Sequence, residues 1–434
     1  MIRWSIIPDR AMAEHSRRTF LKQSTLYGIG CSVLGAAPLR PRPRTARADT
    51  VIQIHLAGGL SHLDTFDPKP ESPIEVRGPF GVIKSKLDGD LLSALLPRTA
   101  NISDKITIVR SMTHGEADHD RGAHSVLTGY QPSPAIIYPS FGAVVAHELG
   151  GQNQLPPYVC VPTVNSSFLG TGYLGAAFAP FAIGGNPATA RFRVRDLLPP
   201  QEIDELRRDR RKQLLHDLDQ SHPDLQAADT VVASEAFYQQ AFALLESKAA
   251  RTAFDLAAEP DAKKDRYGRH SLGMSCLLAR RLSQSGVRYV VATHNGFDHH
   301  SRISNDLPPR MNEVDQAFAA LIADLDAEGL LDRTLVLLTT EFGRTPRQNG
   351  DGGRDHWSRA FSVVLAGAGV KRGHVHGSTN AAGAEPETDP VQPADLAATV
   401  FSQLGLDPAK KLMAPGDRPI DLVRDGAVID GVLA

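Results

Sequence analysis

The chain has 434 residues, of which 41% are hydrophobic and 22% are charged, and its formal net charge at pH 7 is -2. This composition is typical of a soluble globular protein, and the length suits one large α/β domain with insertions or two domains. The near-neutral charge gives no reason to expect nucleic acid or an anionic membrane surface as a partner.

The N-terminus has the features of an export signal. Residues 16–22 (SRRTFLK) form a twin-arginine pattern, and a glycine-rich apolar segment follows at residues 26–39. That segment is shorter than the roughly 20 apolar residues that a membrane-spanning helix needs. Ala46-Arg47-Ala48 matches a cleavage signal of small residues. We therefore predict a twin-arginine signal peptide at residues 1–48, a mature chain without a membrane span, and a periplasmic or extracellular location.

The mature chain alternates apolar strands with helices. Its strand candidates are continuous apolar runs, which is the pattern of strands buried on both faces of a parallel sheet. The pattern predicts an α/β fold with a mostly parallel central sheet and helices on both faces. The predicted strands are residues 50–57, 106–109, 158–162, 287–292, 335–340 and 361–366, and the predicted helices are residues 140–149, 311–329 and 394–404.

Residues from about 196 to 284 differ in character from the rest of the chain. They are rich in Glu, Arg, Lys, Gln, Ala and Leu, with apolar residues at helical spacing and few β-branched runs. We predict that this segment is a mainly helical insertion into the sheet domain.

Polar clusters follow several of the predicted strands, at residues 113–124, 293–300 and 339–357, and more weakly at 61–67. The carboxyl ends of parallel strands meet at one edge of a sheet, so these clusters are expected to converge on one site. Imidazoles mixed with carboxylates are typical ligands of zinc, and carboxylate-rich sets suit manganese or calcium. The sequence thus predicts a site for a divalent metal or an oxyanion. Its histidines are His62, His114, His119, His124, His294, His299, His300, His356, His374 and His376.

The order of these parts resembles the alkaline phosphatase superfamily, which includes the sulfatases. Residues 124–129 (HSVLTG), 298–343 and 393–407 carry that resemblance. More closely, residues 59–70, 114–129, 341–344 and 353–357 resemble a family of exported bacterial proteins known as a domain of unknown function, DUF1501, over nearly all of the mature chain. The resemblance implies one alkaline phosphatase-like three-layer α/β/α domain at residues 49–434.

The resemblance also implies roles for particular residues. His119 or Asp120 would lie nearest the reacting atom. Guanidinium groups would neutralise the ester anion, since their geometry matches its oxygens; these are Arg121, Arg344 and Arg354. A zinc, calcium or manganese ion would be bound by a set drawn from Asp64, His124, Asp298, His299, His300, Glu341, Asp355 and His356.

The sequence departs from the superfamily pattern at three places. Gly58 and Gly59 stand where an aspartate usually follows the first strand, and Glu341-Phe342 replaces the usual Asp-His pair of ligands. Around His119 and Asp120, the expected place of the nucleophile, there is no Ser, Thr or Cys. Hydrolysis here would need a histidine or aspartate nucleophile, or water activated by metal.

Two functions remain open at this point. The first is a metal-dependent hydrolase of sulfate or phosphate esters, acting on a small molecule or a polysaccharide. The alternative is a non-catalytic periplasmic protein for binding or assembly, on a degenerate fold of the same kind. The sequence leaves the metal, the oligomeric state and a possible Cys160–Cys276 disulfide undecided.

Overall fold

The computed structural model describes residues 45–434, except for Arg191 and most residues between 195 and 246. The predicted signal peptide therefore lies almost entirely outside the described residues and stays a prediction. The same holds for the first part of the predicted insertion.

An eight-stranded sheet forms the centre of the fold, with the strand order β8-β2-β7-β6-β1-β5-β3-β4. Its middle strand β1 pairs in parallel with a neighbour on each side, where Ile54 lies opposite Ala292 and Leu338. The strands are β1 (Thr50–Ala57), β2 (Ile106–Met112), β3 (Tyr158–Val161), β4 (Phe181–Ala182), β5 (Tyr289–Asn295), β6 (Thr334–Thr339), β7 (Phe361–Ala366) and β8 (His374–His376).

Strand β7 is antiparallel to both of its neighbours, β2 and β6, whereas the other pairs in the sheet are parallel. The prediction of a mostly parallel sheet is confirmed. Because β7 runs in the opposite direction, the loop that leaves β6 and enters β7 begins and ends at the same edge of the sheet. That edge is also where the carboxyl ends of the parallel strands lie.

Helices cover both faces of the sheet, as predicted. Alternate residues of β1 point to opposite faces and both sets are buried, so that Ile52 and Ile54 belong to one apolar core and Val51 belongs to the other. The longer helices are α1 (His119–Thr128), α2 (Phe141–Leu149), α3 (Lys248–Phe254), α4 (Asp261–Tyr267), α5 (Ser271–Ser285), α6 (Ile303–Ala327) and α7 (Pro393–Gln403). The first core contains α3, α5 and α6, and the second contains α1, α2 and α7.

Short elements connect these strands and helices. Single helical turns lie at Ile74–Arg77 and Pro97–Asn101. Two-stranded ribbons pair Val82–Lys84 with Leu91–Ser93, Gly343–Arg344 with His356–Trp357, Ser378–Thr379 with Pro386–Thr388, and Lys411–Ala414 with Arg418–Asp421. No helix among the described residues combines the length and the hydropathy needed to cross a bilayer.

Helix α6 begins at Ile303, well before the predicted start at residue 311. The predicted start lies after Pro308 and Pro309, and proline, which lacks an N–H group, disfavours the interior of a helix. In the structure both prolines lie inside α6. The carbonyl groups that they leave without a helical donor belong to Ser304 and Asn305, which are exposed and accessible to water.

The described part of the predicted insertion is helical and consists of α3, α4 and α5. Helix α5 packs against β5, β1 and α6, so it belongs to the helical layer of the sheet itself. Cys276 on α5 lies in one core and Cys160 on β3 lies in the other, and both thiols are free. The sheet between them prevents a disulfide.

Gly142 on α2 allows a test of the packing in the second core. A Cβ atom at Gly142 would lie 2.3 Å from Cε2 of the buried Tyr158. We expect Gly142→Ala to lower the free energy of unfolding by about 1–3 kcal/mol through overpacking, although alanine is the better helix former. Urea denaturation would measure this, with Gly115→Ala as the control, because the space beside Gly115 is open. An unchanged midpoint for Gly142→Ala would contradict the packing described here.

Candidate functional site

Three loops at the carboxyl edge of the sheet bring the site together. The loop after β2 leads into α1, whose first residue is His119 and whose N-cap Asp118 accepts a hydrogen bond from the backbone N–H of Arg121. The loop after β5 carries Asp298 and His300. The loop between β6 and β7 carries His356, which pairs with Arg344 in a short ribbon.

Three imidazoles surround the carboxylate of Asp298. The Nε2 atom of His119 lies 3.3 Å from Oδ2, and the Nε2 atoms of His356 and His300 lie 3.2 Å and 3.0 Å from Oδ1. The Nε2 atoms of His300 and His356 are 3.0 Å apart. We call His119, Asp298, His300 and His356 the Asp298 cluster.

The Nδ1 atom of each of these histidines bonds to an oxygen that can only accept. His119 Nδ1 lies 2.8 Å from Oε1 of Glu341, and His300 Nδ1 lies 2.7 Å from Oδ1 of Asp355. His356 Nδ1 lies 2.8 Å from the carbonyl oxygen of Ala117. Each Nδ1 must therefore carry its hydrogen, and in the neutral ring Nε2 is then an unprotonated acceptor.

Unprotonated Nε2 atoms and a carboxylate repel one another at these distances unless a cation lies between them. The cation is either a proton on a ring or a metal ion. His119, Asp298 and His356 form the group whose ligand atoms lie within 4.8 Å of one another among the described residues. Two imidazoles and one carboxylate fit zinc, whereas calcium prefers oxygen ligands alone. The donor set therefore fits a zinc-type metal with room for further ligands.

Glu341 supports His119 from behind. It is buried, and its Oε1 also accepts a hydrogen bond of 2.6 Å from the backbone N–H of Gly58. Burial favours the neutral acid, but the hydrogen bond from His119, the charge of His55 and the Gly58 N–H outweigh it and lower the pKa of Glu341. The hydrogen bond to Glu341 in turn raises the pKa of His119, the opposite of the effect of its partial burial. A buried carboxylate that orients an imidazole is the usual partner of a metal-binding histidine.

Phe342 forms an apolar floor under the cluster. Its ring centroid lies 5.1 Å from that of His119 and 4.7 Å from that of His356. A Cβ atom at Gly59 would lie 2.5 Å from this ring, and one at Gly58 would lie 2.6 Å from the backbone nitrogen of Asp298. Both glycines have positive φ angles, 74° at Gly59 and 120° at Gly58. Glycine is therefore needed where the first loop passes under the site.

Arg344 connects the loops beneath the cluster. It is buried, and it donates to the carbonyl oxygens of Gly59 and Arg354 at 2.8 Å and 2.9 Å, as well as to those of Gly58 and Phe297. Its Nη2 also lies 2.6 Å from Oδ1 of Asp298. Burial raises the pKa of Asp298, but Arg344 and His356 more than reverse this and hold it well below its usual range. Asp298 is thus a fixed negative charge.

The chain matches one family of known proteins. Residues 48–433 match the family described as "Protein of unknown function (DUF1501)". The chain belongs to this family. The family resemblance predicted from the sequence is therefore confirmed. No curated protein sequence matches the chain.

Solved structures similar to this DUF1501 protein include hydrolases. The PsFucS1 sulfatase from Pseudoalteromonas sp. is 11% identical, with 85% of this chain and 68% of that chain covered and a TM-score of 0.39. The phosphonate monoester hydrolase SpPMH from Silicibacter pomeroyi is 13% identical (88% and 76% covered, TM-score 0.36). A protein in the alkaline phosphatase superfamily from Vibrio parahaemolyticus is 11% identical (84% and 68% covered, TM-score 0.39). Similarities this low do not assign a function to this chain.

Two of the arginines predicted to bind the ester anion lie below the site. Arg354 is fully buried and uses all five of its N–H groups on Asp64 and on the carbonyl oxygens of Val76, Thr345 and Pro346. Asp64, predicted as a metal ligand, is the buried counter-ion of Arg354 at 2.7 Å. Arg344 is similarly bound to the loops. These groups position the site from below.

Other predicted site residues are also outside the Asp298 cluster. His124 follows His119 by five residues on α1, a rotation of about 140°, and its Nδ1 bonds to the carbonyl oxygen of Tyr130 at 3.0 Å.

Arg121 pairs with Glu116 on the surface, and the neighbouring Asp120 is exposed. His299 is buried beside Asp306. Glu341 and Asp355 orient histidines of the cluster from behind.

Some contributors to the site carry no signal in the sequence. The carbonyl oxygen of Ala117 fixes the ring of His356, and His114 Nε2 donates to the backbone oxygen of Glu341 at 2.6 Å. A backbone oxygen is present at every residue, so only the folded loops reveal which one is used. His114 belonged to a predicted polar cluster, but its support of Glu341 was not predicted.

The donor set predicts which substitutions release a metal ion. We expect the purified protein to bind zinc stoichiometrically and His119→Ala, Asp298→Ala and His356→Ala to lose most of it, because each removes one of the three ligand atoms. Elemental analysis after dialysis would measure the zinc content. Asp120→Ala and His147→Ala are matched controls, since both residues lie outside the cluster, and they should keep the metal. Full zinc content in the three cluster variants would contradict the assignment.

Proposed function

We propose that this chain is an exported, metal-dependent hydrolase of sulfate or phosphate esters. The observation that supports the proposal is the arrangement around Asp298. Three imidazoles there donate their Nδ1–H groups to oxygen atoms and direct their Nε2 atoms at one carboxylate. His119, Asp298 and His356 would hold the ion, and zinc is the metal that suits them best. When bound, it would polarise the ester and lower the pKa of water.

The exposure of the cluster favours catalysis over a structural metal. The side chains of Asp298 and His300 are 45% and 46% exposed. Structural zinc sites are closed by four protein ligands, whereas catalytic sites have three and leave a position open to water and substrate. Three ligands at the surface of the sheet edge fit the second description.

His300 is suited to proton transfer. Its Nδ1–H is held by Asp355, so the accepting Nε2 faces the cluster in a fixed orientation. Asn349 donates to Oδ1 of Asp355 at 3.2 Å and to the carbonyl oxygen of His300 at 2.9 Å, which fixes the pair to one loop. An imidazole whose ring is oriented by a carboxylate is a common form of general base. In this proposal Nε2 of His300 takes the proton of the attacking water.

His119 and Asp120 stand at the expected place of the nucleophile, where the sequence has no Ser, Thr or Cys, and this favours direct attack by water over a covalent intermediate. His119 is bonded to Glu341 and would serve as a ligand. The charge of the ester would be met by the metal, since Arg344 and Arg354 are engaged below the site. Export by the twin-arginine route would place the substrate, a small molecule or a polysaccharide, in the periplasm or outside the cell.

The proposal predicts hydrolysis that depends on the metal. Zinc-loaded protein should release 4-nitrophenol from 4-nitrophenyl sulfate or 4-nitrophenyl phosphate, and a chelator should abolish this until zinc is restored. Asp298→Ala and His356→Ala should be inactive yet folded by circular dichroism. If metal-loaded protein turned over neither ester with any divalent ion, the non-catalytic alternative would be favoured.

The role of His300 predicts a loss of rate without a loss of metal. We expect His300→Ala to retain zinc while kcat falls by about 10²–10⁴-fold, the usual effect of removing a general base. Asp355→Asn should give a smaller decrease of the same kind, because the ring loses its charged orienting partner. Zinc content and kcat should be measured on the same samples. A parallel loss of zinc in His300→Ala would make His300 a ligand instead.

A further inference from the structure

A polar cavity lies at the same edge of the sheet as the Asp298 cluster. It has a volume of about 330 Å³ and is formed at the carboxyl ends of the adjacent parallel strands β3 and β5. Its floor includes His294, and its walls include Glu313 and Arg310 of α6. Asn165 and Asn295, which are joined by a hydrogen bond of 2.8 Å, lie at its exposed rim.

The floor of this cavity contains a buried polar atom without a partner. His294 is 7% exposed, and its Nε2 has no hydrogen-bond partner in the described part of the chain. The nearest acid, Glu313, lies 3.1 Å from Nε2, but outside hydrogen-bonding geometry. Burial, with the charges of Arg310 and His270, lowers the pKa of His294 to about 4, so the ring is neutral near pH 7. A buried polar atom without a well-directed partner can bond to a ligand in the cavity.

The charges on the walls indicate the kind of ligand. Glu313 contributes one negative charge and Arg310 one positive charge, and Arg310 forms no ion pair or hydrogen bond with the described residues. The carboxylate disfavours a phosphate or sulfate group, and the polar lining disfavours an apolar ligand. Guanidinium, carboxylate, amide and imidazole groups together offer both donors and acceptors, which is what several hydroxyl groups require. The volume is at the lower end for small-molecule pockets and suits one small ring.

The cavity and the Asp298 cluster share one loop. Asn295 ends β5 at the rim of the cavity, and Asp298 follows three residues later. Three steps of the chain place the Cα atoms of these residues no more than about 11 Å apart. The rim of the cavity and the cluster therefore lie close together.

We propose that this cavity binds an uncharged, multiply hydroxylated ring, a sugar, which is the alcohol part of the ester. The inference rests on the proposed function, since it assigns the ester group to the Asp298 cluster and the alcohol to the cavity. Glu313 accepts hydrogen bonds from the sugar hydroxyl groups, Arg310 donates to them, and His294 Nε2 bonds to the hydroxyl that reaches deepest.

Binding of free sugars tests the cavity without any need for hydrolysis. Saturation-transfer NMR with millimolar glucose and galactose should give signals for the wild-type protein and for the exposed control variants Glu71→Met and Arg418→Met. Glu313→Met and Arg310→Met should lose them, because each removes the polar end of a wall residue. Arg310 is exposed, so its variant should fold even if the Glu313 variant does not. No signal for the wild-type protein, or full signals for both cavity variants, would overturn the proposal.

Hydrolysis provides a second comparison. The ratio of kcat/KM for glucose 6-phosphate or galactose 6-sulfate to that for the matching 4-nitrophenyl ester should fall at least tenfold in the cavity variants. It should be unchanged in Glu71→Met and Arg418→Met. Sugar binding that is lost in the cavity variants, with no ester hydrolysed, would support the cavity and refute the hydrolase. Hydrolysis with an unchanged ratio of kcat/KM values and no sugar binding would support the hydrolase and refute the sugar site in the cavity.

Discussion

The site depends on one buried guanidinium group. Arg344 bonds to backbone carbonyl groups of the loop after β1, the loop after β5 and the loop between β6 and β7, and also to Asp298. A buried charge with several partners tolerates little movement, because the loss of any partner leaves it incompletely compensated. These loops, which include the ones that carry Asp298, His300 and His356, are therefore held in one arrangement before any ligand arrives. This rigidity is what a site needs if its atoms are to be held within a fraction of an ångström.

The same contact has an electronic effect on the cluster. Oδ1 of Asp298 accepts from Arg344 and also faces His356 and His300, so its negative charge is shared among several groups. A carboxylate that already accepts a hydrogen bond from a guanidinium group donates less electron density to a metal ion. An ion held here would keep more of its own positive charge and act as a stronger Lewis acid, at some cost in affinity. The imidazole ligands oriented by Glu341 and by the Ala117 carbonyl oxygen offset part of that cost.

The sequence predicted the sheet better than it predicted the site. Apolar runs are signals of burial, and strands β1 and β7 lie within the predicted ranges because all of their residues except Ala57 are buried. The choice of ligands depends instead on rotation and on loop geometry. His119 and His124 are both histidines on α1, but they are five residues apart and therefore point to different faces of the helix. Asp64 and Arg354 are far apart in the sequence, and only the folded loops show that each satisfies the other.

The reversed direction of β7 also affects how the site forms during folding. Strands β6 and β7 are neighbours in both sequence and space, so they can pair without closing a long chain loop. His119 and Glu341, by contrast, are 222 residues apart. The loop that carries His356 can therefore be anchored early, whereas the full cluster exists only after the distant parts of the sheet have joined. A metal ion at this position would therefore bind after the fold has formed, and its binding would not direct folding.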